Sequence, residues 1–247
     1  MRYFLELSYC GSLYNGWQSQ AKGKGVTIQS ALESAITTLL RKDTPLTGCG
    51  RTDSGVHALN YFAHFDADPI KEVAPLIQKL NKMLNQDIVI HNIHQVDEKA
   101  HARFDALSRS YRYHLHIEKS PFLPFSFYYR YGVPDINILN NAAAVLLKYN
   151  DFATFCKTHT DTKTTLCNLT ESHWKINEAG QYTYHITGDR FLRGMVRLIV
   201  GMCLNITRNK LTLKSAEEAV SKGIRTGQDW SVPPEGLFLT DVKYPYL

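Results

Sequence analysis

The sequence has no Cys-x-x-Cys pair: its five cysteines, Cys10, Cys49, Cys156, Cys167 and Cys203, are scattered and odd in number. Such a set argues against both a disulfide framework and a thiolate zinc site. There is no Gly-x-x-x-x-Gly-Lys-Ser/Thr or Gly-x-Gly-x-x-Gly loop either, so nucleoside triphosphates and dinucleotides find no visible cradle. The most apolar stretch, Phe191 to Ile206, is broken by Arg193 and Arg197. It also falls short of the roughly 20 residues that span a bilayer, so no membrane anchor is expected. Met1-Arg2-Tyr3-Phe4 runs straight into an alternating pattern, without the apolar core and cleavage site of a signal peptide, and a cytoplasmic protein is the expectation. The pairs His91-x-x-His94 and His114-x-His116 lack an acidic or cysteine companion at ligand spacing, and no metal is expected.

What is present is an ordinary globular composition: 247 residues, 44% hydrophobic and 21% charged. Lys and Arg number 28 against 23 Asp and Glu, a net charge of +5 that mildly favours a polyanionic partner. Tyr3, Leu5 and Leu7 alternate with Phe4, Glu6 and Ser8, the period-2 signature of a strand. Ile28, Leu32, Ala35, Ile36, Leu39 and Leu40 follow the spacing of an amphipathic helix. A second helix is predicted from Pro75 through Leu84. Strands are predicted at 46–50, 61–66 and from Ile88. The order strand, helix, strand, strand, helix, strand is an α+β arrangement related to the ferredoxin-like pattern.

The second half repeats the mixture. Tyr111, Tyr113, Leu115 and Ile117 alternate with Arg112, His114 and His116. Helices are predicted at 136–149 and 191–206, strands at 172–176 and 182–186, and a last helix starting on a Ser215-x-x-Glu218 capping box. Two α+β domains are expected, 1–105 and 106–247; no Pro/Gly/Ser-rich linker separates them, which suggests one shared sheet or a tight interface.

The richest local signal is Gly50-Arg51-Thr52-Asp53-Ser54-Gly55-Val56-His57-Ala58. Asp-Ser-Gly is a common turn, and Asp53 has a purely structural explanation there. Arg51 and the two glycines offer another: backbone brought close to a ligand, and a cation that keeps a nucleophilic carboxylate ionised. In Ser108-Arg109-Ser110-Tyr111-Arg112-Tyr113 the two tyrosines share one strand face, suited to packing or to stacking and proton transfer. Arg193 and Arg197 are four apart on an expected helical face. The apolar flanks predict a partly buried Arg197 that needs a carboxylate, with Asp53 the candidate. Ala21-Lys22-Gly23-Lys24-Gly25 reads as a basic loop suited to phosphate contact or to solvent.

At Gly50 to Ala58 the sequence resembles the catalytic motif of the TruA family of tRNA pseudouridine synthases. Further segments resemble that family in the same order: Tyr9, Gly11, Tyr14, Gly16, Trp17, Gln18 and Gln20; His101-Ala102-Arg103-Phe104 with Ser110 to Tyr113; Phe191-Leu192, Met195-Val196-Arg197 and Val200-Gly201; and Pro233 to Leu237. Cys10, Ser54 and Phe238 stand where the family usually has Asp, Ala and often Tyr. The resemblance implies the pseudouridine synthase fold, two related halves sharing a largely antiparallel sheet with a basic RNA-binding cleft. It implies isomerisation of uridine to pseudouridine in the anticodon stem-loop of tRNA by a homodimer, without metal, nucleotide or organic cofactor. By the same resemblance Asp53 is the nucleophile, Tyr111 stacks on uracil and assists proton removal, and Arg197 keeps Asp53 charged. Arg51 holds the space of the everted base, and Thr52, Gly55, His57 and Arg193 join Arg51 and Tyr111 in binding substrate. The competing readings are a noncatalytic RNA-binding protein in which Asp53 is only a turn residue, and a hydrolase using Asp53 and His57.

Overall fold

The computed structural model describes residues 1–20, 25–156, 164–224 and 229–247. Residues 21–24 of the expected basic loop lie outside that set. The chain divides into two compact units, Met1–Leu107 with Phe238–Leu247, and Ser108–Leu237. Both mix helices with mostly antiparallel strands.

In the first unit the strands are β1 (Arg2–Tyr9), β2 (Thr47–Gly48), β3 (His57–Asp66) and β4 (Ile88–Val96). The order across the sheet is β4-β1-β3, continued by the chain's last strand, β9 (Leu237–Lys243), which runs parallel to β3 through His57↔Phe238 and Ala58↔Leu239. The other pairs are antiparallel, and β2 lies against β3. Helix α1 (Ile28–Leu40) starts on Thr27, whose hydroxyl accepts from the Ser30 N–H while the Ser30 hydroxyl accepts from the Thr27 N–H. The six apolar residues predicted to share a face include four that are buried: Ile28, Leu32, Ala35 and Ile36. Helix α2 (Val73–Met83) packs on β4 through Leu76 and Leu80. β1 departs from simple alternation because Phe4 is buried too. Its ring meets Tyr244 edge-on at 5.2 Å, so residues after β9 cover a face that would otherwise be wet.

The second unit is built on β5 (Ser108–His116), β7 (Leu169–Ile176) and β8 (Tyr182–Gly188), with β8 in the middle and both neighbours antiparallel to it. The two-residue β6 (Phe127–Tyr128) runs parallel to β5. Helix α3 (Ile136–Val145) is capped by Asp135 and ends in a 3₁₀ turn at 146–148, so it is shorter than the periodicity predicts. It is pinned to β7 by Asn140, whose side chain accepts from the Trp174 N–H at 2.7 Å and donates to the Trp174 carbonyl at 3.2 Å.

Helix α4 (Met195–Thr207) begins four residues later than predicted, after a turn ending at Gly194, and is buried nearly all round. In α5 (Leu213–Lys222) the cap is Thr212, whose hydroxyl accepts from the Ser215 N–H; Ser215 is therefore the third helical residue and not the cap. Among the described residues no helix is long and apolar enough to cross a membrane.

Candidate active site

Asp53 lies on the connection from β2 to β3. Residues Asp53 to Val56 form a tight turn in which the Val56 N–H donates to the Asp53 carbonyl at 3.2 Å. Gly55, at φ +78°, occupies the third position, where a type II turn requires a positive φ. The structural and functional readings of this motif are thus compatible: the turn fixes the backbone that carries a half-buried carboxylate.

The loop is tethered from several directions. Gly16 crosses it at φ +81°, and a Cβ there would stand 2.5 Å from the Thr52 carbonyl oxygen, so only glycine fits. The Trp17 N–H donates to that carbonyl at 3.2 Å, and the Thr52 hydroxyl shares a 2.8 Å hydrogen bond with the Tyr9 hydroxyl. The Tyr61 hydroxyl donates to the Gly50 carbonyl. Beneath the loop Trp17 and Tyr61 stack at 4.0 Å, with Tyr9 edge-on to Tyr61 at 5.5 Å. These three large side chains are 1%, 0% and 4% exposed. The hydroxyls of Tyr9 and Tyr61 find partners, as buried phenols must, and so convert apolar burial into a fixed loop position.

Arg51 is exposed, and its Nε donates to the Gln18 side-chain oxygen at 3.1 Å. The Gln18 amide donates in turn to Gln29 of α1 at 2.7 Å, and Gln29 donates to Glu33 and to the Leu46 carbonyl. The guanidinium is thereby aimed by a polar chain anchored on a helix. His57 is only 1% exposed; its Nδ1 accepts from the Gly11 N–H at 3.2 Å and its ring stacks on Phe238 at 4.6 Å. An accepting Nδ1 puts the proton of the neutral ring on Nε2.

In the second unit Tyr111 sits on β5 opposite Ile186, half buried, with the Phe191 ring edge-on at 5.0 Å. Tyr113, on the same strand face, is fully buried; its hydroxyl donates to the Pro233 carbonyl at 2.8 Å and burial pushes its phenol well above the ordinary value. One tyrosine is therefore core and the other is only partly buried. Arg197, in the first turn of α4, donates from Nε to the Val232 carbonyl at 2.7 Å and from a terminal nitrogen to the Ser231 hydroxyl at 3.4 Å. Arg193 is exposed and precedes the helix, so the expected helical face shared with Arg197 does not form.

Arg51, Thr52, Asp53, Gly55 and His57 are thus gathered by one unit, and Tyr111, Arg193 and Arg197 belong to the other. Sequence reasoning missed Tyr61 as a loop anchor, Gln18 as the partner of Arg51, and Val232 as the acceptor for Arg197. Tyr61 was readable only as a strand residue; its hydroxyl contact joins segments whose pairing no local spacing reveals.

A family model described as tRNA pseudouridine synthase matches residues 142–245. The chain is 42% identical to tRNA pseudouridine synthase A of Bacteroides thetaiotaomicron over 99% of this chain and 91% of that protein. The chain belongs to the tRNA pseudouridine synthase A family. It is also 42% identical to the tRNA pseudouridine synthase A of Porphyromonas gingivalis, over 99% and 97% of the two chains, and 33% identical to that of Chlorobaculum tepidum, over 97% and 96%. The α+β architecture is that of a pseudouridine synthase. In this pseudouridine synthase the three departures from the motif pattern have defined neighbours: the Cys10 thiol donates to the Ser12 hydroxyl at 3.4 Å, the Ser54 hydroxyl donates to the Tyr14 carbonyl at 3.1 Å, and Phe238 lies on His57. An alanine at position 54 would lack that tether.

Proposed function

We propose that this isomerase converts uridine to pseudouridine in the anticodon stem-loop of tRNA, with the Asp53 carboxylate as nucleophile. The reaction breaks the bond from ribose C1′ to uracil N1, turns the base, joins C1′ to C5 and releases the C5 proton, while N1 takes up a proton. Reactant and product have the same atoms, so it needs no oxidant or second substrate. Attack by the carboxylate at C1′ or at C6 requires the anion in either case, and Arg197 is proposed to hold Asp53 in that form.

The base must leave its stack, at a cost of a few kcal/mol. Arg51, exposed and aimed by Gln18, is proposed to occupy the vacated space. Tyr111, only partly buried, stacks on uracil and assists removal of the C5 proton. Arg193 binds phosphate. Thr52 and Gly55 bind substrate through the loop they shape. His57, buried against Phe238, positions that loop rather than reaching the RNA with its ring. The working form is proposed to be a cytoplasmic homodimer presenting a basic surface to RNA, read by shape and phosphate.

The observation that carries this reading is the half-buried Asp53 on a turn tethered by Gly16, Trp17, Tyr9 and Tyr61, in a chain aligned over 99% of its length with a tRNA pseudouridine synthase A. Asp53→Asn is nearly isosteric. It is expected to fold and bind tRNA normally and to form no pseudouridine, mapped by chemical adduct and primer extension on unmodified tRNA. Retained activity would remove the nucleophile assignment.

A further inference from the structure

On the sheet face of the second unit that does not carry Tyr111 and Tyr113, three strands present a polar row. The registers place Glu171 opposite Thr187, His173 opposite His185, and Arg112 opposite His185 on its other side. One ligand atom from each of Glu171, His173 and His185 lies within 4.8 Å of the other two. We propose that these three side chains form a binding site for a borderline divalent cation, Zn²⁺ or its chemical analogues, with the remaining coordination taken by water.

The donor set is two imidazoles and one carboxylate, the set that binds zinc with an open position. Around such an ion, ligand atoms stand about 3.3 Å apart. His173 Nδ1 is already 3.5 Å from one Glu171 oxygen, and the side chains, 33% and 43% exposed, have room to close the rest by rotation. The two imidazole rings lie stacked, 4° apart in plane and 4.9 Å between centres, so ligating one ion requires a ring to turn out of this arrangement.

Two further observations point the same way. His173 Nε2 is buried and makes no hydrogen bond among the described residues, so ligation falls to Nδ1, the nitrogen that faces Glu171. The second Glu171 oxygen accepts from the Thr187 hydroxyl at 2.8 Å, and Thr187 pairs in turn with the Ser110 hydroxyl at 2.9 Å. Since Thr187 has one proton and gives it to Glu171, Ser110 must be the donor to Thr187. The outer oxygens thus orient the carboxylate and leave its free oxygen toward the histidines, the support that ligating carboxylates ordinarily have. Exposed Arg112 and Lys175 flank the cluster on the same face and oppose an incoming cation. Sequence spacing could not disclose the site, because its ligands come from two strands, 12 residues apart at the histidines.

The test uses full-length protein freed of metal, titrated with Zn²⁺ by calorimetry and with Co²⁺ by visible absorption. One saturable equivalent is expected, with ligand-field bands and without thiolate charge-transfer. His173→Gln and Glu171→Gln should abolish that equivalent, Thr187→Val should weaken it about tenfold, and Arg112→Gln should tighten it. Circular dichroism separates loss of ligation from loss of fold. Absence of saturable uptake, an unchanged Co²⁺ spectrum in folded His173→Gln, or a thiolate band placing the ion on cysteine would each overturn the proposal.

Discussion

The loop bearing Asp53 and the helix bearing Arg197 are held in place by different balances of tether and burial. The loop has little apolar surface of its own and is positioned by discrete tethers: a glycine crossing, main-chain and hydroxyl hydrogen bonds, and a stacked aromatic pair beneath. Helix α4 buries Val196, Leu198, Ile199, Val200, Met202, Cys203 and Leu204, and its tethers, a close pass of Gly201 by the Trp230 carbonyl and hydrogen bonds from Arg197 and Asn205, add to that apolar surface. A tethered loop can be moved by deleting a single atom pair, whereas a buried helix answers to volume. Changes in the loop should therefore alter catalysis more than stability, and changes in α4 the reverse.

The sharpest break is Gly16→Ala. A positive φ and a 2.5 Å approach to backbone together should cost more than about 3 kcal/mol and abolish pseudouridine formation, measured by denaturant melts and primer extension. Ile199→Ala, at a fully buried site, should cost about 2–5 kcal/mol with kcat in the remaining folded protein little changed; a large kcat loss at full folding would contradict the division.

Third comes pH. Burial, with the Arg2 charge nearby, holds His64 at about 4, and its Nδ1 accepts from the Ala102 N–H at 3.1 Å. Below the unfolded value of about 6.5 the unfolded chain takes up a proton that the folded chain refuses, so this contribution is full above 6.5 and is lost as pH falls toward 4. It amounts to about 3 kcal/mol. Urea midpoints at pH 7 and 5 should differ less in His64→Gln.

Tyr61→Phe, which keeps the stack and removes the tether to Gly50, should cost about 1 kcal/mol in stability and a larger share of kcat. Smallest is Ser54→Ala, at about 0.5 kcal/mol for a part-buried hydroxyl bond, with a detectable fall in kcat. Equal losses of stability and kcat in both loop variants would erase the distinction.

Much of the architecture was legible because it rests on local periods. The apolar spacing from Ile28 gave α1, and alternation from Tyr111 gave β5. Helix α4 was anticipated but started too early, since Phe191 and Leu192 are apolar without being helical. The capping residue of α5 was misplaced by three positions because Thr212 and Ser215 can both cap and only geometry chooses. The last strand went unpredicted although Leu237, Leu239 and Val242 are buried, because its partner β3 is about 180 residues away in sequence. At the site, residue types and turn chemistry were readable around Asp53, whereas Tyr61, Gln18 and Val232 act through contacts between remote segments.

β9 has a temporal consequence. The first unit is interrupted, its sheet receiving its final strand only after all of the second has been synthesised. On a ribosome adding roughly 5–20 residues per second, Asp53 emerges roughly 10–40 seconds before Phe238 can settle on His57. The nascent chain thus waits with the scaffold of the Asp53 loop unfinished, and chemical competence arrives late in translation rather than with the half of the molecule that encodes the motif.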